Sequence, residues 1–401
     1  MSGVLIVGAG HAAGQAAASL RQEGYTDAIT VLGDEPYVPY QRPPLSKQYL
    51  SGEQPLERVY LRPEKFYADK DINLETGVTV SALNPADNTV ATADGRSFSY
   101  EHLILATGSR PRKLALEGAD LAGIHYLRTI EDVDGIRAEM GEGKRIVIVG
   151  GGYIGLEVAS VCVEHGMEVH VLEMEDRILQ RVTTPEMSAY YHQLHEGRGV
   201  HLHTNTLVSG FAGSGRVAAV LCGDQRFEAD LVIVGIGIIP NVELAADAGL
   251  ACDNGILVDE RCRTSVPNVY AIGDCTNHPN PTLGRRLRLE SVPNAMDQAR
   301  VTAANICGKD KIYDAVPWFW SDQYELKLQM VGFSTDADTQ VLRGSQAENQ
   351  FAVFYLKEGK VVAADAVNSA KEFMICKQLV GKPVDAAVLA DPATDLKSLL
   401  G

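Results

Sequence analysis

One pattern occurs twice in this chain and limits its possible folds more than any other feature. Val4-Leu5-Ile6-Val7 leads into Gly8-Ala9-Gly10-His11-Ala12-Ala13-Gly14; small residues follow to Leu20, and a second apolar run, Ile29-Thr30-Val31-Leu32, ends at Gly33-Asp34-Glu35. Residues 146–173 repeat it as Ile146-Val147-Ile148-Val149, Gly150-Gly151-Gly152-Tyr153-Ile154-Gly155, a helical stretch, and Val169-His170-Val171-Leu172-Glu173. Each copy reads as strand, glycine turn, helix, strand and acid. The first glycine (Gly8, Gly150) permits a tight turn and the second (Gly10, Gly152) lets backbone approach a pyrophosphate. A small third residue (Ala13, Gly155) lets helix pack on strand. The helix N-terminus then faces the diphosphate, with Ala12 and Ile154 in the two first turns. An acid after the second strand accepts hydrogen bonds from an adenosine ribose; Asp34, rather than its neighbour Glu35, is assigned that place in the first copy and Glu173 in the second. A single glycine motif is weak evidence, whereas two complete copies in order predict two dinucleotide-binding units.

Further segments support a duplication. Ile104-Leu105-Ala106-Thr107-Gly108-Ser109-Arg110-Pro111 is echoed by Ile233-Val234-Gly235-Ile236-Gly237-Ile238-Ile239-Pro240, each a buried strand followed by G-x-x-P. Between the first glycine motif and its closing strand, Thr79 to Tyr100 alternates with turn signals at Asn84-Pro85 and Asp94-Gly95, which predicts a small antiparallel meander. A last strand, Val269-Tyr270-Ala271-Ile272, runs into Gly273-Asp274.

Composition removes other classes. A formal charge of −16 opposes binding to a nucleic acid or an anionic membrane. The longest apolar stretch, Ile146 to Val163, is broken by glycines and Glu157, so no bilayer-spanning segment is expected. The N-terminus shows no basic region before its apolar run, which favours a cytoplasmic protein. Seven cysteines, none before Cys162 and none in a C-x-x-C pair, read as reduced buried thiols and provide neither a metal site nor a redox-active dithiol.

The set Gly8/Gly10/Ala13, Ala106-Thr107-Gly108, Gly150/Gly152/Gly155 and Tyr270-Ala271-Ile272-Gly273-Asp274 resembles the two-dinucleotide-binding flavoprotein reductases of the glutathione reductase type. That likeness implies an α/β fold of two Rossmann-like domains, the first for FAD and the second for NAD, plus a C-terminal α/β domain. Within it, Tyr40-Gln41-Arg42-Pro43-Pro44-Leu45-Ser46-Lys47, Leu289-Glu290-Ser291-Val292-Pro293-Asn294-Ala295 and Pro317-Trp318-Phe319-Trp320-Ser321-Asp322-Gln323 are more specific. They resemble the FAD-dependent NADH:ferredoxin reductase components of oxygenase systems, the putidaredoxin reductase and biphenyl dioxygenase reductase type, across essentially the whole chain.

By that resemblance Asp274 binds the ribityl chain, Arg42 and Lys47 lie along the flavin, and Val80, Ala106, Arg128 and Val292 touch FAD, while Gly237 belongs with the second nucleotide. Glu157 pairs with Lys47 near the reactive flavin nitrogen, where a fixed cation stabilises the anionic reduced ring. Tyr153 is expected to cover the flavin until nicotinamide displaces it, and Trp320 to approach the flavin where a small iron–sulfur protein docks. Glu173 would accept both ribose hydroxyls of NADH and repel the 2′-phosphate of NADPH. The implied reaction carries two electrons from NADH to FAD and then single electrons to a 2Fe-2S ferredoxin serving a cytochrome P450 or Rieske-type oxygenase. Rubredoxin reductase, NADH oxidase and an NADH-sensing flavoprotein similar to apoptosis-inducing factor are the alternatives. Residues 281–311 carry six basic and three acidic side chains, and Arg285, Arg286 and Arg288 among them are expected to meet an acidic ferredoxin. The expected domains are 1–112 with 239–312 for FAD, 113–238 for NADH, and 313–401 as a C-terminal domain ending in a helix around Ala370 to Val380.

Overall fold

A computed structural model describes residues 3–335 and 337–400. The chain forms two compact units, one from Met1–Arg42, Pro55–Arg110 and Ile238–Pro317, the other from Pro43–Gln54, Pro111–Gly237 and Trp318–Gly401.

The first unit is built on five parallel strands ordered Val269–Ala271, His102–Leu105, Val4–Val7, Ile29–Leu32, Ile72–Glu75. Their continuous runs of Val, Ile and Leu suit strands covered on both faces. One face receives the helices His11–Gln22 and Val292–Ile306, which approach through Ala13, Ala16, Ala17, Ala295, Ala299 and Ala303. The other receives the meander Val80–Asn84, Thr89–Thr92, Ser97–Ser99, which contributes Leu83 and Val90.

The second unit repeats this plan. Its parallel sheet runs Val200–His203, Glu168–Leu172, Arg145–Val149, Leu231–Val234, Ile124–His125. As in the first unit, the strand before the glycine turn is flanked by the strand that follows the helix and by the closing strand. A second meander, Gly210–Gly213, Val217–Cys222, Gln225–Glu228, packs Val217 and Val220 against Val147 and Val232. The unit also holds a five-stranded antiparallel sheet in the order Trp318–Gln323, Leu326–Gly332, Lys360–Val367, Gln350–Lys357, Thr339–Ser345.

The helix expected around 370–380 is Ala370–Leu379, but it does not end the chain. Gly381 at φ +86° and Pro383 stop it. The Asp385 side chain then accepts the Ala387 amide to start a helix at Ala386–Ala390, and a 3₁₀ turn follows at Leu396–Leu400.

Candidate active site

In the first unit Gly8 has φ +104°, and a Cβ there would strike the Ala106 carbonyl, so this turn closes only on glycine. Gly10 differs: a Cβ there would meet nothing within 4 Å, so the space before it is open. The helix that follows has no side-chain cap and no acid in its first turn, leaving its amides facing outward. His11 opens that helix with its Nδ1 buried and unbonded among the described residues, and burial lowers its pKa to about 4. Ala12 and Ala13 are buried behind it. These are the properties of a cradle for a diphosphate.

Other predicted FAD positions share this unit. Arg42 donates to Glu35 at 3.0 Å and to the Tyr40 hydroxyl at 3.0 Å, so Glu35 is already committed while Asp34 stays exposed at the strand end. Asp274 accepts from the Ser109 hydroxyl at 3.0 Å, and the amide of Gly273 donates to Gln298 Oε1 at 2.7 Å. The Ala106 amide donates to the Val7 carbonyl. Val80 is half-buried at the start of the meander, and Val292 is the first residue of the helix capped by Ser291.

The second turn repeats the geometry. Gly150 has φ +111°, Gly152 faces open space, and the helix Tyr153–Glu164 also starts without a side-chain cap or a first-turn acid. Gly155 lies against the Gly150 carbonyl, Ile154 is 48% exposed, and Gly237 borders open space. Glu173 Oε2 accepts the Gly151 amide at 2.8 Å and Oε1 accepts the Glu175 amide at 2.9 Å. The carboxylate thus braces the glycine turn and keeps further lone pairs for other donors. Arg177 donates to the Gln180 carbonyl within its own loop. The Arg128 amide donates to Asp132, the residue that completes the capping box of the helix Ile130–Glu139.

The strongest chemistry in this unit surrounds Glu157, one helical turn after Tyr153. A 3₁₀ turn at Pro43–Ser46 sets Ser46 and Lys47 side by side. Lys47 Nζ donates to Glu157 Oε2 at 2.6 Å, and the Ser46 hydroxyl donates to the same oxygen at 2.5 Å. The Ser321 hydroxyl donates to Oε1 at 2.6 Å. Lys47 is 8% exposed and Glu157 4%. A buried ion pair offsets its desolvation cost only with further hydrogen bonds, and here Ser46 and Ser321 add one to each carboxylate oxygen. The resemblance pairs Lys47 with Glu157, and the segments that carry it contain Ser46 and Ser321 but assign neither a role. Alternation along Trp318–Gln323, which turns Phe319, Ser321 and Gln323 to one side, is the signal that would have found Ser321.

Tyr153 is fixed by the same strand and its neighbour. Its ring meets Phe319 edge-on at 5.8 Å, and its hydroxyl donates to Met330 Sδ at 2.8 Å. Burial drives that hydroxyl's pKa well above its ordinary value. Trp320 points to the opposite side of its strand from Ser321 and lies against Trp318, with centroids 5.7 Å apart. In the first unit, Arg288 pairs with Glu290 at 2.6 Å, Arg286 donates to the Val258 carbonyl at 2.8 Å, and Arg285 is exposed.

Residues 2–299 match the pyridine nucleotide-disulphide oxidoreductase family, and residues 318–400 match the reductase C-terminal domain. Putidaredoxin reductase of Pseudomonas putida is 45% identical over 99% of this chain and 96% of its own. A ferredoxin–NAD(P)(+) reductase of a Sphingomonas species is 44% identical, covering 99% of this chain and 97% of its own. Among solved structures, the covalent complex of putidaredoxin reductase with putidaredoxin superposes with a TM-score of 0.96 at 45% identity, covering 100% of this chain and 98% of that one.

Proposed function

The chain belongs to the pyridine nucleotide-disulphide oxidoreductase family, and from that premise we propose that it is an NADH-dependent ferredoxin reductase containing FAD. We assign Gly8, Gly10, Ala12, Ala13, Asp34, Arg42, Val80, Ala106, Arg128, Asp274 and Val292 to FAD, and Gly150, Gly152, Ile154, Gly155, Glu173 and Gly237 to NADH. The flavin supplies the conversion of a two-electron hydride into two single electrons. The protein supplies the rest. Glu157 holds the Lys47 ammonium at one place as the cation that an anionic reduced ring requires. Tyr153 covers the flavin until nicotinamide arrives, and Glu173 selects NADH by accepting its ribose hydroxyls.

The observation that most supports this reading is the buried Lys47–Glu157 pair, with Glu157 on a glycine-turn helix and both of its oxygens accepting hydrogen bonds. We assign residues 1–112 and 239–312 to the FAD domain, 113–238 to the NADH domain and 313–401 to a C-terminal domain that carries Trp320 toward the partner. The partner is a ferredoxin of the 2Fe-2S type, met by Arg285, Arg286 and Arg288, and it feeds a cytochrome P450 or a Rieske-type oxygenase. No described helix is long and apolar enough to cross a membrane, and we place the protein in the cytoplasm.

The test is NADH-driven reduction of a panel of purified 2Fe-2S ferredoxins, beside a rubredoxin and oxygen alone. At least one ferredoxin is expected to be reduced fastest; faster turnover with rubredoxin or oxygen would overturn the assignment.

A further inference from the structure

The hydrogen bonds on Glu157 continue beyond Ser321. Gln323 Nε2 donates to Ser321 Oγ at 3.1 Å, His195 Nε2 lies 2.8 Å from Gln323 Oε1, and the Tyr324 hydroxyl lies 3.0 Å from His195 Nδ1. Ser321, Gln323 and His195 are each 1% exposed or less. We propose that His195 is a positioning residue for Glu157, anchoring through Gln323 and Ser321 a hydrogen-bond chain of fixed direction that ends on the carboxylate holding Lys47. The proposal rests on the reading of Lys47 and Glu157 given above.

The direction follows from the chemistry of the groups. A carboxylate only accepts, so Ser321 spends its one proton on Glu157 and must accept from Gln323. Gln323 therefore turns its NH₂ to Ser321 and its carbonyl to His195. His195 must then carry its proton on Nε2, which leaves Nδ1 bare to accept from Tyr324. Every member donates toward Glu157. Burial lowers the His195 pKa to about 4, so the ring is neutral in the working range and its single proton has a fixed place.

Two features argue that the chain is more than packing. The buried positions of the strand Trp318–Gln323 would ordinarily be apolar, yet Ser321 and Gln323 occupy two of them in succession. Tyr324 sits in the two-residue turn between Trp318–Gln323 and Leu326–Gly332 at φ +55°, a conformation that favours glycine or asparagine. A tyrosine held there marks a place where its side chain is worth more than a relaxed turn. Its ring lies under the Arg198 guanidinium at 4.9 Å, and Arg198 is held by Glu325 at 2.5 Å.

The experiment compares His195→Phe, which removes the donor, with His195→Gln, which restores an N–H near Nε2. Three quantities are read: the His195 tautomer by ¹⁵N NMR in apoprotein and holoprotein, the flavin midpoint potential, and kcat against KM for NADH with ferricyanide as acceptor. The wild-type ring is expected as the Nε2–H tautomer. His195→Phe should lower kcat about tenfold with KM within about twofold and shift the potential negative, and His195→Gln should recover most of both. If His195→Phe fails to fold, Tyr324→Phe replaces it, with the Nε2–H tautomer retained and a kcat reduced about twofold as the expected result.

A wild-type Nδ1–H tautomer would overturn the proposal whatever the flavin does. Normal kcat and potential in His195→Phe, or an Nδ1–H tautomer or an unchanged kcat in Tyr324→Phe, would also overturn it. A parallel Glu157→Gln variant separates the failures. If that variant too is normal, the reading of the Lys47–Glu157 pair has failed; if it is impaired while His195→Phe is normal, only the role of His195 has.

Discussion

The two glycine-turn helices share a backbone and diverge in what they carry. Counting from Gly10 and Gly152, His11 corresponds to Tyr153 and Gln15 to Glu157. Gln15 is nearly buried and spends its amide on Ser19, four residues along the same helix, at 2.9 Å. Glu157 accepts instead from Ser46, Lys47 and Ser321, which come from two other segments of the chain. The first helix otherwise presents alanines to its surroundings and acts as a scaffold. The acids after the second strands differ as well: Asp34 is exposed, whereas Glu173 is tied to the amide of Gly151. A repeated motif therefore specifies how the backbone meets an anion, while the reactive side chains lie where the copies depart from each other.

The most severe way to break this comparison is valine at the two open glycines. A Cβ at Gly10 or Gly152 meets no protein atom, so both variants should fold. Gly10→Val is expected to purify without flavin, with FAD retention down at least about a hundredfold as the cradle mouth fills. Gly152→Val should keep its flavin and show a KM for NADH raised by a comparable factor. The same loss in both, measured by flavin content and steady-state kinetics, would mean that the copies do not divide the two nucleotides between them.

Next in size is the helix position where the copies differ. Glu157→Gln should slow NADH-driven flavin reduction about ten- to a hundredfold in stopped flow, because it leaves the buried Lys47 ammonium without its counter-charge. Gln15→Ala should cost no more than about 1 kcal/mol of stability and leave that rate unaltered.

Much of this contrast is legible in the sequence. Both glycine turns, their strands and acids, the first meander and the pairing of Lys47 with Glu157 follow from motif order and resemblance. The rest of the network around Glu157 does not. Ser46, Ser321, Gln323 and His195 are spread over nearly 280 residues and meet only once the chain is folded; the first three lie inside family segments that assign them no role, and His195 lies in none. The continuation past Leu379 is missed for another reason: Gly381 and Pro383 look like the end of a helix, and the sequence does not announce that Asp385 will cap a new one. The basic stretch near Arg285 counts charges correctly but not their partners, since the pairing of Arg288 with Glu290 depends on how their segment bends.

A smaller effect sharpens the comparison at the strand-end acids. Glu173→Ala should reduce the preference for NADH over NADPH about tenfold, read as the ratio of kcat/KM values, and raise both KM values by loosening the Gly151 turn. Asp34→Ala should leave that ratio unchanged.

The least effect is expected from Asp365, buried in the second unit and accepting from Thr183 and Tyr355 at 2.9 and 2.8 Å. Burial raises its carboxyl pKa to about 6, above its unfolded value of 3.8. The folded protein therefore binds this proton more tightly than the unfolded chain does. Its stability rises as pH falls from about 6 toward 4, and above pH 6 the buried charge costs at most about 3 kcal/mol. Asp365→Asn keeps an acceptor and removes the charge. Its gain in Tm over wild type should be largest at pH 8 and shrink by pH 5; a gain independent of pH would show that the carboxyl titrates alike in the folded and unfolded protein.

The strand Trp318–Gln323 places Trp318 and Trp320 on one side and Phe319, Ser321 and Gln323 on the other. Inserting or deleting one residue here would exchange the two sets, bringing an indole against Glu157 and sending the serine hydroxyl to the opposite side. Lineages descended from this chain can change either side one residue at a time by point substitution, but the number of residues through this strand is a quantity they must inherit unchanged.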